Sequence, residues 1–129
     1  VKVAIIGSRD FNDLEYMIET LKPYENKITK VISGGAKGAD TIAEQWAKHR
    51  TIPFQEYTAK WNDVEGKPKY QIGENSYGKY WKWAGHSRNT TMAEECDCCV
   101  AFWDGKSTGT AHMIKECKRL NKPLKIIYI

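Results

Sequence analysis

The chain has 129 residues, 41% hydrophobic and 12% aromatic, enough for one domain with one proper core and too apolar for disorder. A net charge of +4 permits an anionic ligand but argues against nucleic acid as the principal partner. No apolar run approaches the ~20 residues of a membrane span and no signal-peptide pattern opens the chain, so a cytoplasmic protein without a membrane partner is expected.

Residues 1–6 are apolar after Lys2, as in a strand buried on both faces of a parallel sheet. They run into Gly7-Ser8-Arg9-Asp10, a short polar turn. Leu14, Met17, Ile18 and Leu21 recur at helical spacing, and Pro23 stops that helix. Residues 29–32 read as a second strand, followed by Ser33-Gly34-Gly35-Ala36-Lys37-Gly38-Ala39-Asp40 and a helix over 41–50. Glycines in such a strand-to-helix turn let a ligand approach the main chain, and its peptide N–H groups suit a phosphate or carboxylate. Lys37 adds a mobile positive charge. The turn is neither a Walker loop nor a Gly-x-Gly-x-x-Gly dinucleotide fingerprint, because both spacings are absent.

Residues 53–58 predict a third strand. Residues 59–85 then break the pattern: Trp61, Tyr70, Tyr77, Tyr80, Trp81 and Trp83 alternate irregularly with lysines, and no period emerges. The stretch reads as a long aromatic and basic loop or insertion. It could act as a lid that stacks on a base, as an oligomer contact, or as a loop packed on itself.

Ser87 predicts an N-cap for a helix running to about Cys96, which places Arg88 and Asn89 near the helix start. A cation there opposes the helix dipole and needs a partner, either a carboxylate such as Asp104 or Asp10 or an anionic ligand. Residues 98–103 form a buried strand that ends in a second glycine-bearing turn, 104–110. In it Ser107, Thr108 and Thr110 could cap the next helix, bind phosphate, or do both. Ala111, Ile114, Cys117 and Leu120 share one face of that helix, Pro123 breaks it, and 124–129 predict the last strand. Cys96, Cys98, Cys99 and Cys117 lack zinc-ligand spacing and read as buried, reduced thiols, so no metal site is expected. His86 and His112 read as surface residues rather than acid–base groups.

Strands alternating with helices predict one α/β domain over 1–129, an open, mostly parallel sheet of about five strands covered on both faces. Right-handed crossovers would bring the turns at 7–10, 33–40 and 104–110 to one edge, where open α/β sheets bind ligands.

Four motifs in this order, Gly7-Ser8-Arg9-Asp10-Phe11, residues 33–40, Ala84-Gly85 with Arg88-Asn89-Thr90-Thr91-Met92, and residues 103–110, resemble the SLOG superfamily of Rossmann-like proteins. Within it the chain is most similar to the small, often phage- or plasmid-borne YspA or cpYpsA-related branch. The resemblance implies a Rossmann-like fold that binds, and in some relatives processes, a nucleotide-derived phosphorylated molecule along the turn edge. Ligand contacts are then expected from Gly7, Ser8, Arg9, Ser33, Gly34, Gly35, Lys37, Gly38, Asp40, Arg88, Asn89, Trp103, Asp104, Ser107, Gly109 and Thr110. No cofactor is required beyond the nucleotide-like ligand, and a homodimer or higher homo-oligomer is a candidate assembly.

Two alternatives stand beside this reading. The first is a phosphoribohydrolase-like N-glycosidase acting on a nucleoside phosphate. The related enzymes place a glutamate where this chain has Met113, so Asp40, Asp104 or Glu116 would have to supply the catalytic carboxylate. The second is a single-stranded nucleic-acid-binding module that uses the aromatics and lysines of 59–85.

Overall fold

The computed structural model describes residues 1–35 and 37–129; Ala36, within the first glycine-rich turn, lies outside the described residues. The first two apolar runs become β1 (Lys2–Gly7) and β2 (Lys30–Ser33), and the third expected strand is the short, mostly exposed β3 (Phe54–Glu56). After a two-stranded insertion, β4 (Ile72–Asn75) and β5 (Gly78–Trp81), come β6 (Cys98–Trp103) and β7 (Leu124–Tyr128). Among the described residues five strands form one sheet in the order β3-β2-β1-β6-β7, and every neighbouring pair is parallel. This is the Rossmann-like sheet expected from the alternating strands and helices.

The chain steps outward from β1 to β3 and then returns to the other side of β1, so the strand order reverses between β1 and β6. In open α/β sheets that reversal opens a crevice at the C-terminal ends of the strands. The register is tight there: Gly7 faces Phe102 across the pair, and the Asp97 carboxylate accepts from Lys2 N at 2.7 Å at the opposite end.

Helices α1 (Leu14–Leu21) and α2 (Ala39–His49) cover one face; α3 (Ala84–Glu95) and α4 (Thr108–Arg119) cover the other. The first core gathers Ile5, Met17, Leu21, Val31, Trp46 and Phe102, and the second Ile6, Ile32, Met92, Ala101 and Met113. Each such side chain, fully buried, contributes about 1.5–3 kcal/mol. Asp13 caps α1 by accepting from Tyr16 N at 3.0 Å, and Pro23 lies in the 3₁₀ turn Lys22–Lys27 that follows the helix.

Two expectations change. Helix α3 starts at Ala84, three residues before the expected Ser87 cap, with Trp83 as its N-cap. Arg88 therefore lies beyond the first turn, where the dipole penalty on a cation has faded. Residues 59–85 are also more ordered than their irregular pattern suggests. A 3₁₀ turn, Lys69–Gln71, leads into the antiparallel β4–β5 hairpin, whose partners run from Ile72↔Trp81 to Asn75↔Gly78. The hairpin was illegible because its strands are four residues each and carry Gly, Glu, Asn and Lys rather than alternating apolar residues.

The thiols are free; Cys96, Cys99 and Cys117 are buried, and Cys98 is partly so. The hydrogen bond shared with Cys117 and burial push the Cys96 thiol well above its ordinary range, which keeps it protonated and inert.

Helices α3 and α4 are joined by Thr90, which donates to Glu116 Oε1 at 2.6 Å, while Arg119 Nε donates to Glu116 Oε2 at 2.9 Å. The Arg119 and then the Thr90 hydrogen bonds hold the Glu116 carboxyl down at about 2. A carboxylate depressed in the folded state adds stability above its unfolded pKa and loses it as pH falls through the folded value. Acid denaturation of the wild type should therefore show a contribution from Glu116 that is complete above pH ~4.5 and fades toward pH ~2. Glu116→Gln should flatten that limb, and identical acid profiles would refute the assignment.

Candidate functional site

A cavity of about 520 Å³ opens at the reversal point, lined among others by Gly7, Arg9 and Asp10 of the first turn, Asp40 of α2, Arg88 and Asn89 of α3, and residues 107–110. Ile6, Met92 and Met113 form its apolar part. This volume is within the range of small-molecule sites.

The walls are pinned by the backbone. Ser8 is buried, donates its N–H to Phe102 O at 2.9 Å and accepts from Asp104 N on Oγ at 3.0 Å, so one hydroxyl locks the first turn to the third. Ser8 thus serves as a strut between the turns and is not among the residues that line the cavity. Ser8→Ala should cost about 1 kcal/mol in urea unfolding, the usual worth of one hydrogen bond. No measurable loss would mean that the Asp104 amide finds another partner. Ser8 O also accepts from Ala39 N at 3.2 Å, which seats α2 against the first turn. Gly38 makes that contact feasible: its φ is +80°, and a Cβ there would overlap the carbonyl oxygens of Ser8 and Arg9.

The glycine-rich turn at 33–40 is largely occupied by the chain itself. Ser33 is buried and donates to Ile5 O at 2.8 Å; Gly34 N–H donates to Asp40 Oδ2 at 3.2 Å; a Cβ at Gly35 would overlap the Glu56 side chain. The Asp40 carboxylate thus takes the Gly34 amide, one of the donors expected to face an anionic ligand. Exposed Lys37, together with Ser33, Gly34, Gly35 and Gly38, does not line the cavity.

Arg88 lies against this turn. Its Nη1 donates to Gly34 O at 2.9 Å and its Nε to Asn89 Oδ1 at 3.2 Å. Burial lowers its pKa, while Asp40 and Glu56 oppose that shift, so the guanidinium stays charged. Its carboxylate partners are Asp40 and Glu56, not the Asp104 or Asp10 considered from the sequence.

The third turn leaves its donors open. Asp104 Oδ1 accepts from Lys106 N and Ser107 N, each at 2.8 Å, and these bonds hold its carboxyl below the usual range. Ser107 is the N-cap of α4 but caps no amide; its hydroxyl meets Thr110 Oγ1 at 3.3 Å. The N–H groups of Thr108, Gly109 and Thr110, at the first positions of a twelve-residue helix, have no intrahelical acceptor. These residues line the cavity. Asn89 braces the other wall, donating through Nδ2 to Gly109 O and His112 Nδ1, both at 3.2 Å. His112 stacks on His86 at 3.9 Å, and burial followed by the His86 charge lowers its pKa, so it stays neutral.

Trp103 does not reach the cavity; its indole N–H donates to Ser107 O at 3.1 Å. Glu116 also lies outside the lining, while Met113 is part of it. Asp40 and Asp104 are committed to backbone amides, which leaves Asp10 as the lining carboxylate with no hydrogen bond or ion pair among the described residues. Sequence reasoning did not single out Asp10 as part of the cavity wall because it appeared only as a partner for a guanidinium.

Residues 1–63 match the sequence model of the YspA, cpYpsA-related SLOG family. Over 135 aligned residues, 95% of this chain and 93% of the relative, the chain is 30% identical to the gene 61 protein of Mycobacterium phage D29. DNA processing protein A from Streptococcus pneumoniae is similar in fold, with a TM-score of 0.72 at 20% identity over 97% of this chain and 49% of that one. DNA processing protein A from Helicobacter pylori, whose structure addresses its single-stranded DNA binding mode, gives 0.68 at 20% identity over 98% and 64%. The chain thus spans about half of the first solved protein and under two thirds of the second, and the likeness is one of fold. No helix among the described residues is long and apolar enough to cross a membrane. Sequence relationship, sheet order and the three-turn edge agree, and the chain belongs to the YspA, cpYpsA-related SLOG family.

Proposed function

We propose that the cavity binds a nucleotide-derived phosphorylated small molecule, with its phosphate at the N-terminus of α4. The observation that carries this reading is the open row of amides at 108–110, facing the same cavity as Arg9 and Arg88. Backbone donors and a helix dipole favour a compact anion. Asp10 can accept from sugar hydroxyls. With Asp10, Asp40 and Asp104 beside two guanidinium groups, the lining has mixed sign, which suits one phosphate with a hydroxyl-bearing sugar better than a polyanionic track.

A thermal-shift series tests this. A nucleoside monophosphate at a hundredfold excess over its Kd should stabilise the protein by about 2.7 kcal/mol, while the nucleoside alone does much less. Asp10→Asn and Arg9→Ala should weaken the shift. No response to any nucleoside phosphate would overturn the reading.

The second reading is single-stranded nucleic acid, and the comparisons speak for it more than for the first. The fold resemblance to the Helicobacter pylori protein favours it, as do the exposed aromatics of the insertion: Tyr77 is 98% and Tyr70 68% accessible, among several lysines. Such rings stack on bases regardless of sequence. Salt-sensitive binding of oligothymidine, lost in Tyr70→Ala with Tyr77→Ala, would establish it.

A further inference from the structure

A second cavity of about 400 Å³ lies on the far side of Arg88, which lines both. It is bounded by Tyr57 and Lys60 after β3, Trp81 at the end of the hairpin, and Ser87 and Thr91 of α3. Both aromatic rings are fixed. Trp81 Nε1 donates to Gln71 Oε1 at 3.0 Å and Lys67 Nζ sits 4.3 Å from the centre of the indole, while the Tyr57 hydroxyl donates to the Glu95 carboxylate. The polar groups are not fixed: the Lys60 ammonium and the Ser87 hydroxyl make no hydrogen bond or ion pair among the described residues. Arg88 spends Nε and Nη1 on Asn89 and Gly34, so its head is held in place while Nη2 has no hydrogen-bond acceptor among the described residues.

Rigid rings, a free ammonium and a free hydroxyl are the complement of a base with its sugar and phosphate. Each compartment is within the size range of a small-ligand pocket. Glu56 on this side, and Asp10, Asp40 and Asp104 on the other, oppose a long run of phosphates.

We propose that the cavity beneath the β4–β5 hairpin takes the second nucleoside of a phosphate-bridged dinucleotide whose bridge lies against Arg88. This rests on the nucleotide reading of the first cavity and assigns the insertion a role as the second wall of the site.

Calorimetric titration of the full chain with AMP, a 3′–5′-linked diadenosine, a pyrophosphate-bridged diadenosine and oligothymidine tests it, with the guanosine series in parallel. One bridged compound should bind at least tenfold more tightly than its monophosphate, and whichever does identifies the bridge. Ser87→Trp, which fills the second cavity from an exposed position, should bring that ratio to within twofold of one. Lys60→Ala should reduce it at least threefold, and circular dichroism with melting curves checks that both variants fold. Monophosphate binding with no dinucleotide advantage overturns the second subsite and spares the first. No binding by any nucleotide overturns both. Oligothymidine binding tighter than every dinucleotide, with a steep salt slope, replaces this ligand class with a strand.

Discussion

Gly38→Ala should lower stability by about 4 kcal/mol and abolish ligand binding in the first cavity, combining backbone strain of 1–3 kcal/mol with overpacking of 1–3 kcal/mol. Gly38 has φ +80° and ψ −127° just ahead of α2, a conformation that side chains with a Cβ rarely adopt. The added methyl would also overlap two backbone carbonyls, Ser8 O and Arg9 O, which cannot rotate away as a side chain could. Relief requires α2 to lift from the first turn, which breaks the 3.2 Å bond from Ala39 N to Ser8 O and displaces Arg9 and Asp10 from the cavity wall. Gly66 supplies the control. Its φ is +76°, yet a Cβ there would meet nothing within 4 Å, so Gly66→Ala should cost only the left-handed penalty of about 1–2 kcal/mol. Urea unfolding of both variants separates contact from conformation; equal losses would remove Gly38 from its place as the hinge between turn and helix.

Arg88→Met should reduce affinity for the phosphorylated ligand roughly 10–100-fold, because a hydrogen bond to a charged group is worth about 1.5–3 kcal/mol. The substitution keeps most of the apolar stem and removes the cation. Gly34 O then loses its 2.9 Å donor, and Asp40 and Glu56 lose the cation on which both act. A buried acceptor left unpaired costs about 1–3 kcal/mol, so stability should fall by about 2 kcal/mol. Arg88→Lys should not restore binding, since an ammonium cannot hold Gly34 O and Asn89 Oδ1 with two donors of one rigid fork. Adding Glu56→Gln to Arg88→Met should recover part of the stability and none of the affinity. Recovery of both would reduce Arg88 to a counter-charge, and wild-type affinity in Arg88→Met would remove it from the site.

The sheet was legible because β1, β2 and β6 are short apolar runs closed by Gly7, Gly34 and Asp104, Pro53 and Pro123 precede β3 and β7, and the alternation of strands with helical spacing leaves few topologies. The start of α3 was less so: Ser87 looks like a cap, but the helix had already begun at Ala84, where Trp83 holds a position that residue type does not announce. The hairpin escaped notice because its register is set by backbone pairing and not by an apolar face. At the site, the turn edge could be read from strand order, and the actual donors could not. Asp40 satisfies Gly34 from six residues away, and Asp104 satisfies Lys106 and Ser107. Which glycine-rich turn stays open to a ligand depends on these local carboxylates. Their reach is a matter of side-chain geometry that spacing alone does not determine.

The central strand also dictates when the site can exist. One edge of β1 pairs with β2, which follows within about thirty residues, but the other waits for β6, and the bond from Lys2 N to Asp97 spans 95 positions. Closing so long a loop is entropically costly and makes such pairings slow to form. At about 5–20 residues per second of synthesis, the growing chain would hold an apolar strand edge open for seconds before residues 98–103 emerge to cover it. A chain halted at residue 63 would contain the whole segment that matches the family and still lack α3, α4 and β6, the second partner of β1. Such a fragment presents an unpaired edge of the kind that recruits other strands, so premature termination would yield an aggregating product rather than a weaker binder.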